Sequence, residues 1–407
     1  MQRIFLGFGM ALALMVPACG GGGQSASSPT GGGGNSSGGS ASTGGTNAGG
    51  SAGMDVAPMH VVTACDKLLG VGVWEHITPP NVDLSTFGVV GVTFDPNDSS
   101  NVFVSTAKSG LHKSTDCGAT WTKIDTGAGS ADIDKGAVGV ILDPLNPKVL
   151  YTGSLYGTNG FFKSTDGGVS WTQKLTPDIQ KVAPYGGFIG GMDMDPGPAP
   201  NANRHLLVAW HQECAAPFNK ACYAETTDGG ESWTMRNGDP TWAGGEGTSL
   251  QFLDSTRWLF SSSSNGLWIT KDSGKTWNKV PSGMISHGSG ELFRTKGGSF
   301  FLGSATGVLY SQTGDDWALV PNSGTLIAGV TGNGTHVWTS SAFPYNPDAR
   351  TAPSVRYRVA DESDPMTWSN FDSAAMTSGG TALAYDPDHK LLYSANYWDG
   401  LWRVVVE

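Results

Sequence analysis

One octet that ends in tryptophan recurs along this sequence, and it constrains the fold more than any other feature. It reads STDCGATW at 114–121, STDGGVSW at 164–171, TTDGGESW at 226–233 and TKDSGKTW at 270–277. Degenerate copies follow as SQTGDDW at 311–317, one residue short, and DESDPMTW at 361–368, where Ser363 and Pro365 replace the usual Asp and Gly. Internal repetition of this kind indicates a repeat architecture.

Each octet is preceded by two hydrophobic runs and a turn. The stretch VVGVTFDPNDSSNVFVSTAKSGLHKSTDCGATWTKI at 89–124 alternates apolar and polar residues between Gly, Asn and Pro turns, which predicts four short strands. An Asp-Pro pair recurs in the turn after the first strand, beginning at Asp95, Asp143, Asp195 and Asp386. The repeat unit is therefore predicted to be a four-stranded antiparallel sheet in which the octet joins strand three to strand four.

The two ends of the chain together supply one more unit. A tryptophan begins strand four in six units, at Trp121, Trp171, Trp233, Trp277, Trp317 and Trp368. The stretch 379–407 contains strands one to three and then stops, whereas VWEHI around Trp74 has the pattern of a strand four with no strands before it. We therefore predict an all-β fold, a single seven-bladed β-propeller whose last blade is closed by the N-terminal strand. Such closure leaves only short, protected sheet edges.

The N-terminal part of the chain has a different composition from the rest. Residues 1–19 combine a charged start with an apolar run that is too short to cross a bilayer, as in an export signal. VPAC at 16–19 resembles a bacterial lipobox, in which Cys19 becomes the lipid-bearing first residue, and an ordinary cleavable signal peptide is the alternative. Residues 20–58 are rich in Gly and Ser, so we expect a disordered tether. The propeller is assigned to residues 59–407.

Four cysteines follow Cys19. An even number in an exported chain favours disulfides, and no CxxC or histidine-rich spacing indicates zinc. We expect Cys214 to pair with Cys222 and Cys65 with Cys117. The second bond would lie at one rim of the ring and would lock the closing strand. No metal site and no cofactor are predicted.

The charge of the chain bears on its partners. A formal net charge of −11 with 24 Lys and Arg residues argues against binding to nucleic acid, whose phosphates need basic patches. Charged residues make up only 14% of the chain, which fits a surface that meets neutral or weakly charged ligands.

The octet aspartates have two interpretations. In the functional one, they hold a ligand or calcium. In the structural one, each carboxylate accepts N–H groups of its own turn, the glycine adopts a positive φ and the tryptophan packs between blades. Because carboxylates spread around a ring cannot converge on one substrate, we favour the structural interpretation for Asp116, Asp166, Asp228 and Asp272.

The octets resemble the Asp-box, or BNR repeat, S/T-x-D-x-G-x-T/S-W. Sialidases, xyloglucan-cleaving family 74 glycosidases, sortilin-type receptors and photosystem assembly factors of the Ycf48 type carry this repeat. The resemblance covers residues 70–407 and implies architecture rather than chemistry, because these relatives do unrelated things. The chain lacks the FRIP motif that sialidases carry. Where family 74 enzymes place a catalytic aspartate, it offers Ala107 and Lys108.

The face opposite the octets is the predicted site. There the loops between strands two and three and the connections between blades carry aromatic, imidazole and charged side chains that do not follow the repeat. Aromatic faces stack on sugar rings while acids and amides bind hydroxyls, so we predict a saccharide-binding surface. The alternative for any single residue is a side chain folded back on its neighbours. The predicted ligand-binding residues are Lys108, Tyr185, His287, Tyr345, Tyr397 and Trp398.

Catalysis remains open at this stage. A glycosidase generally needs two carboxylic groups at a defined separation, and the candidates are Glu246, Glu291, Glu213 and Asp399. A polysaccharide lyase would instead use a Tyr or His base, such as Tyr156 or His211, with a cation such as Lys108 to neutralise a uronate. The sequence thus predicts an exported, lipid-anchored, monomeric propeller of the cell envelope, touching the membrane only through its anchor and binding an extracellular polysaccharide. The sequence leaves open whether the protein also cleaves this polysaccharide by a glycosidase-like or lyase-like reaction. The alternative function is a non-catalytic scaffold or receptor for an envelope protein.

Overall fold

A computed structural model describes residues 58–155, 160–175, 189–198, 204–242, 249–262, 265–281, 290–341 and 355–407. The chain divides into two units, Met1–Gly53 and Met54–Glu407, and every described residue belongs to the second. The predicted signal at 1–19 with its lipidation site Cys19, and the tether up to residue 57, lie outside the described residues. Among the described residues, no helix is both long enough and apolar enough to span a membrane.

Within these ranges, 28 strands form seven four-stranded antiparallel sheets, the blades of a β-propeller, which confirms the predicted fold. The first strand, β1 (Glu75–His76), belongs to the last blade. Blade 1 consists of β2 (Val89–Asp95), β3 (Asp98–Thr106), β4 (Leu111–Ser114) and β5 (Thr122–Lys123). A short helix that the sequence did not predict, α1 (Ser130–Ile133), connects it to blade 2.

The following blades repeat this order from the innermost to the outermost strand. Blade 2 consists of β6 (Ile141–Asp143), β7 (Asn146–Gly153), β8 (Phe161–Ser164) and β9 (Thr172–Gln173). Blade 3 consists of β10 (Ile189–Met194), β11 (Leu206–Trp210), β12 (Cys222–Thr226) and β13 (Thr234–Asn237). Blade 4 consists of β14 (Ser249–Phe252), β15 (Trp258–Ser262), β16 (Gly266–Thr270) and β17 (Asn278–Lys279).

The last three blades complete the ring. Blade 5 consists of β18 (Leu292–Arg294), β19 (Phe300–Ser304), β20 (Gly307–Ser311) and β21 (Ala318–Leu319). Blade 6 consists of β22 (Ile327–Gly332), β23 (His336–Ser341), β24 (Tyr357–Asp361) and β25 (Ser369–Asn370). Blade 7 consists of β26 (Ala382–Asp386), β27 (Leu391–Ala395), β28 (Leu401–Val405) and β1, in that order outward.

The N-terminal strand closes the ring as predicted, because β1 pairs with β28 through Glu75 opposite Arg403 and His76 opposite Trp402. Both predicted disulfides, Cys65–Cys117 and Cys214–Cys222, are present. The first joins the segment that precedes β1 to the octet of blade 1.

The octet geometry supports the structural interpretation. In blade 2, Asp166 Oδ1 accepts the Ser164 hydroxyl at 2.8 Å and the Ser170 N–H at 2.9 Å, so the carboxylate is used within its own turn. Gly168 stands at a φ of 93°, a conformation that favours glycine. In blade 3, the octet Trp233 packs edge-on against Phe161 of blade 2, with ring centroids 5.0 Å apart. The octets therefore shape the turns and help to join neighbouring blades.

Candidate functional site

The alternating strand directions give the propeller two distinct faces. Each innermost strand runs toward the turn that joins it to the second strand, as β2 runs from Val89 to Asp95, and the octets lie at that same end. In blades 1, 2, 3 and 7 this turn contains the Asp-Pro pair. We call this the Asp-box face. The loops between strands two and three and the connections between blades lie at the other end, which we call the mouth face.

A cavity of about 390 Å³ lies in the central channel, and residues from all seven blades line it. Its walls come mainly from the first halves of the innermost strands and the residues just before them, so it lies toward the mouth face. Its volume falls at the lower end of the range for small-ligand sites.

Three innermost strands have a β-bulge at the level of this cavity. The pairing register shifts between Val89 and Gly91 in blade 1, between Ile189 and Gly191 in blade 3, and between Ile327 and Gly329 in blade 6. The extra residue of each bulge lines the cavity, and these residues are Val90, Gly190 and Ala328. Bulges interrupt the ladder and are common next to functional sites.

The cavity wall has two chemically different parts. One part, the aliphatic arc, is supplied by blades 1 to 3, and its members are Val90, Val92, Val138, Val140, Ile141, Leu155, Ile189 and Met192. The other part, the polar arc, is supplied by blades 4, 5 and 7, and its members are Ser249, Gln251, Glu291 and Thr381. A ligand in this cavity therefore meets mainly apolar side chains on one side, with His211 of blade 3 as the polar exception, and hydrogen-bonding groups on the other.

Glu291 occupies a special position in the polar arc. Its Oε2 accepts the backbone N–H of Val330 at 3.0 Å and that of Leu383 at 3.2 Å, so the carboxyl reaches from blade 5 to blades 6 and 7. Burial raises the pKa of Glu291 to about 8, against the lowering effect of these two N–H groups. At neutral pH, the Glu291 carboxyl is therefore mostly protonated and able to donate a proton.

Gln251 and Thr381 are also held in place by neighbouring blades. The Gln251 side-chain amide donates to the Gly290 carbonyl at 2.6 Å, which links blade 4 to blade 5. The Thr381 hydroxyl lies 3.2 Å from the Val90 carbonyl, which links blade 7 to blade 1. The polar arc is therefore preorganised by contacts between blades.

A second carboxyl with a raised pKa, that of the partly buried Asp193, lies further along β10 toward the Asp-box face. Its Oδ2 accepts the Phe252 N–H at 2.8 Å, and burial raises its pKa to about 7. Asp193 does not belong to the cavity lining given by the described residues, so we assign it a role in joining blades 3 and 4.

Aromatic side chains stand at the rim of the cavity on the mouth face. Tyr397 lines the cavity and stacks on Trp398, with centroids 5.7 Å apart and planes at 13°. Phe87 also lines the cavity, and its ring centroid lies 5.7 Å from that of Tyr397. These three side chains form what we call the aromatic rim.

The structure brings together three of the residues that the sequence singled out. His211, Glu291 and Tyr397 all line the cavity, although they come from blades 3, 5 and 7. Trp398 stacks on Tyr397. Lys108 is exposed in the turn between β3 and β4 and is outside the lining. The predictions for Tyr156, Tyr185, Glu246, His287 and Tyr345 lie outside the described residues.

Other charged residues of the mouth face have structural partners. Asp399 accepts the Thr377 N–H and hydroxyl, each at 2.8 Å. Glu213 forms an ion pair with Lys220 at 3.2 Å across the loop that the Cys214–Cys222 disulfide closes.

Phe87, Gln251 and the aliphatic arc are not among the residues predicted from the sequence, because most of them lie in the innermost strands or directly before them and not in the loops that break the repeat. A signal was available in the runs FGVVGV at 87–92 and FIGGMD at 188–193. A glycine inside a strand pattern often marks a bulge or a close approach of backbones. Gly191 illustrates this, since a Cβ there would lie 2.9 Å from the Leu250 nitrogen of the next blade.

One group of potential metal ligands occurs among the described residues, and it lies on the Asp-box face. Cys65 Sγ, Cys117 Sγ and a nitrogen of His389 lie within 4.8 Å of one another. Both thiols are consumed by the disulfide, and His389 Nδ1 lies 2.6 Å from Asp386 Oδ2. These three side chains are therefore engaged in structural contacts and do not form a metal site.

The chain matches no protein family profile. It is 32% identical over 122 residues to Xyloglucanase Xgh74A of Acetivibrio thermocellus, a match that covers 25% of this chain and 14% of the xyloglucanase. The chain thus spans a small part of the length of the curated relatives it matches.

Solved structures of similar fold belong to differently named proteins. An ancestral GH74 enzyme superposes with a TM-score of 0.55 at 16% identity, over 81% of this chain and 45% of the enzyme. YCF48 from Cyanidioschyzon merolae gives 0.56 at 11% identity, over 81% of this chain and 98% of YCF48. A virginiamycin B lyase from Staphylococcus aureus gives 0.56 at 12% identity, over 81% and 98%. The chain is therefore a seven-bladed Asp-box propeller with a segment that is similar in sequence to a xyloglucanase.

Proposed function

We propose that this protein binds a neutral polysaccharide at the mouth of its central channel. The observation that carries the proposal is that the aromatic rim stands beside a cavity whose polar arc contains Glu291, Gln251 and Thr381. Aromatic rings pack against the C–H face of a sugar, and a few fixed polar groups then bind its hydroxyls and set its orientation. The partial sequence similarity to a xyloglucanase supports the same ligand class.

The charges in the cavity favour a neutral sugar over a uronic acid. None of the described residues that line the cavity is Lys or Arg, and His211 is the one residue among them that becomes cationic on protonation, so a uronate carboxylate would have no permanently charged partner there. Lys108, the cation that a lyase would need, is outside this lining. A buried charge without a partner is costly. Lyase chemistry on acidic polymers is therefore the less favoured of the two cleavage reactions.

Hydrolysis is the reaction that the cavity supports better. A glycosidase requires a carboxylic acid that stays protonated near neutral pH, and the raised pKa of Glu291, to about 8, meets this requirement. In this proposal, Glu291 donates a proton to the oxygen of the leaving sugar. Glu246, predicted for the same face from sequence, is the proposed second carboxylate.

Export and anchoring are part of the proposal. Two disulfides are typical of proteins from oxidising, extracytoplasmic compartments. With the lipobox-like VPAC at 16–19, they support a lipoprotein that is held at the cell envelope through Cys19.

The test is a titration of the full chain with neutral xyloglucan oligosaccharides, with oligogalacturonate as the acidic comparison. We expect saturable binding of the neutral sugars and at least tenfold weaker binding of the acidic ones. Release of reducing ends that is lost in Glu291→Gln would establish hydrolysis. Glu362→Gln is the matched control, because Glu362 also accepts a backbone N–H, that of Gly334 at 2.9 Å, but lies outside the cavity lining. Absence of binding to any neutral oligosaccharide would contradict the proposal.

A protein ligand is the second candidate. The loop between β11 and β12 is closed by the Cys214–Cys222 disulfide and begins beside the cavity at His211, so it offers a fixed, non-repeating surface. Lack of glycan binding together with a tight complex with one envelope protein would favour this function.

A further inference from the structure

The asymmetry of the cavity wall points to a specific feature of the ligand, and this inference depends on the proposed binding of a saccharide. An unmodified sugar carries hydroxyl groups around its whole ring. The polar arc offers several partners on one side, whereas the side formed by blades 1 to 3 is aliphatic except for His211. Burying a hydroxyl against aliphatic side chains without a hydrogen bond costs free energy.

Two backbone groups of the aliphatic arc already have hydrogen-bond partners within the protein. The Val138 N–H already donates to the Gly153 carbonyl at 3.0 Å, and the Val90 carbonyl lies against the Thr381 hydroxyl at 3.2 Å. Val138, Val140 and Met192 are all partly exposed, which leaves apolar surface facing the cavity. An apolar group of the ligand that covers this surface makes the free energy of binding more favourable.

We propose that the sugar bound at the mouth carries a short O-acyl group, which occupies the aliphatic arc. The sugar hydroxyls then face Glu291 and Gln251, and the aromatic rim holds the ring. An acyl ester is neutral, which fits a cavity with no Lys or Arg among its described lining residues. A cavity of about 390 Å³ takes the end of a chain or a side branch rather than the interior of a polymer.

The test compares one neutral oligosaccharide in O-acetylated, O-propionylated, O-butyrylated and de-esterified form by calorimetric titration of the full chain. We expect the acetylated form to bind about fourfold more tightly than the de-esterified form. We also expect about fourfold more for each further methylene until the aliphatic arc is filled. Equal affinity for the acylated and de-esterified sugars would overturn the inference and leave the proposed function standing. Binding of none of these sugars would contradict the proposed function itself.

Isosteric variants locate the acyl group. Val138→Thr places a hydroxyl in the aliphatic arc and should remove most of the acyl preference, measured as the ratio of the affinities for the acylated and de-esterified sugars. Val169→Thr is the matched control, since Val169 is exposed on the Asp-box face, and it should change neither value. If Val138→Thr fails to fold, Val140→Thr tests the same arc. An acyl preference that survives in a folded arc variant would overturn the assignment.

Discussion

Tyr397 and Val89 exchange two backbone hydrogen bonds across the junction of blades 7 and 1. The Tyr397 N–H donates to the Val89 carbonyl at 2.9 Å, and the Val89 N–H donates to the Tyr397 carbonyl at 3.0 Å. Tyr397 has a φ of 51°, in the left-handed region that is uncommon for an aromatic residue. Gly88 allows this approach, because a Cβ at that position would overlap the Tyr397 carbonyl. The closure of the ring thus fixes a strained aromatic residue at the mouth of the cavity.

Tyr397→Asn should weaken binding of neutral oligosaccharides about tenfold, because it removes the ring that packs against the sugar. Asparagine tolerates the left-handed conformation, so the backbone pairing with Val89 should persist. Titration of oligosaccharide into both proteins measures the change. Tyr397→Phe retains the ring and should bind within about threefold of the unmodified protein. Equal affinity of the Asn variant and the unmodified protein would exclude Tyr397 from the site.

Glu291 should make stability depend on pH in a defined direction. The folded protein holds this proton up to a pKa of about 8, whereas the ordinary value is 4.5, so the folded state binds more protons between these values. The free energy of unfolding should therefore fall as pH rises from about 5 to about 8. Glu291→Gln keeps one oxygen that can accept from Val330 and Leu383 and removes the titration. Urea unfolding at pH 5 and pH 8 should show a pH-dependent loss that is about 3 kcal/mol smaller in this variant. An unchanged pH dependence would show that Glu291 ionises normally.

Ring closure rests on an ion pair that the sequence pattern does not reveal. Arg403 is only 2% exposed, and its Nε and Nη2 each lie 2.8 Å from Glu75 Oε2, while Nη1 donates to the Cys117 carbonyl at 2.6 Å. Glu75→Ala leaves this buried guanidinium without its counter-charge and should lower the free energy of unfolding by about 3 kcal/mol. Glu213→Ala is the matched control, because its ion pair with Lys220 is largely solvent-exposed and should contribute under about 1 kcal/mol. Equal urea midpoints for the two variants would argue against a closing role for the Glu75–Arg403 pair.

The fold was predictable because its signals are local and repeated. Each octet encodes its own turn, as Asp166 and Gly168 show, and the unmatched pattern around Trp74 identifies the strand that closes the ring. The disulfide Cys65–Cys117 followed from the same closure. These signals can be interpreted without knowing which blades contact each other.

The site was only partly predictable, because it depends on how seven separate strands face one channel. The sequence predicts Glu291 as a loop residue of the mouth face. In the structure it lies directly before β18 and contacts two other blades, and no periodicity in the sequence encodes these contacts. Val90 faces the channel because a bulge shifts the register of β2 at that residue. A one-residue shift of this kind decides which side chains line the cavity, and alternation alone does not locate it.

The octet aspartates provide the contrast to the residues of the mouth face. Asp166 accepts the Ser164 hydroxyl and the Ser170 N–H, so Asp166→Ala should lower the free energy of unfolding by about 1 kcal/mol through the loss of these bonds. Because the octet lies on the Asp-box face, the affinity for oligosaccharides should stay unchanged at temperatures where the variant is folded. Asp166→Asn keeps one acceptor oxygen and should lose less stability than the alanine variant. Urea unfolding and titration of the same samples separate the two effects. A folded Asp166→Ala protein that had lost saccharide binding would place a functional site at the octets and reverse the assignment of the two faces.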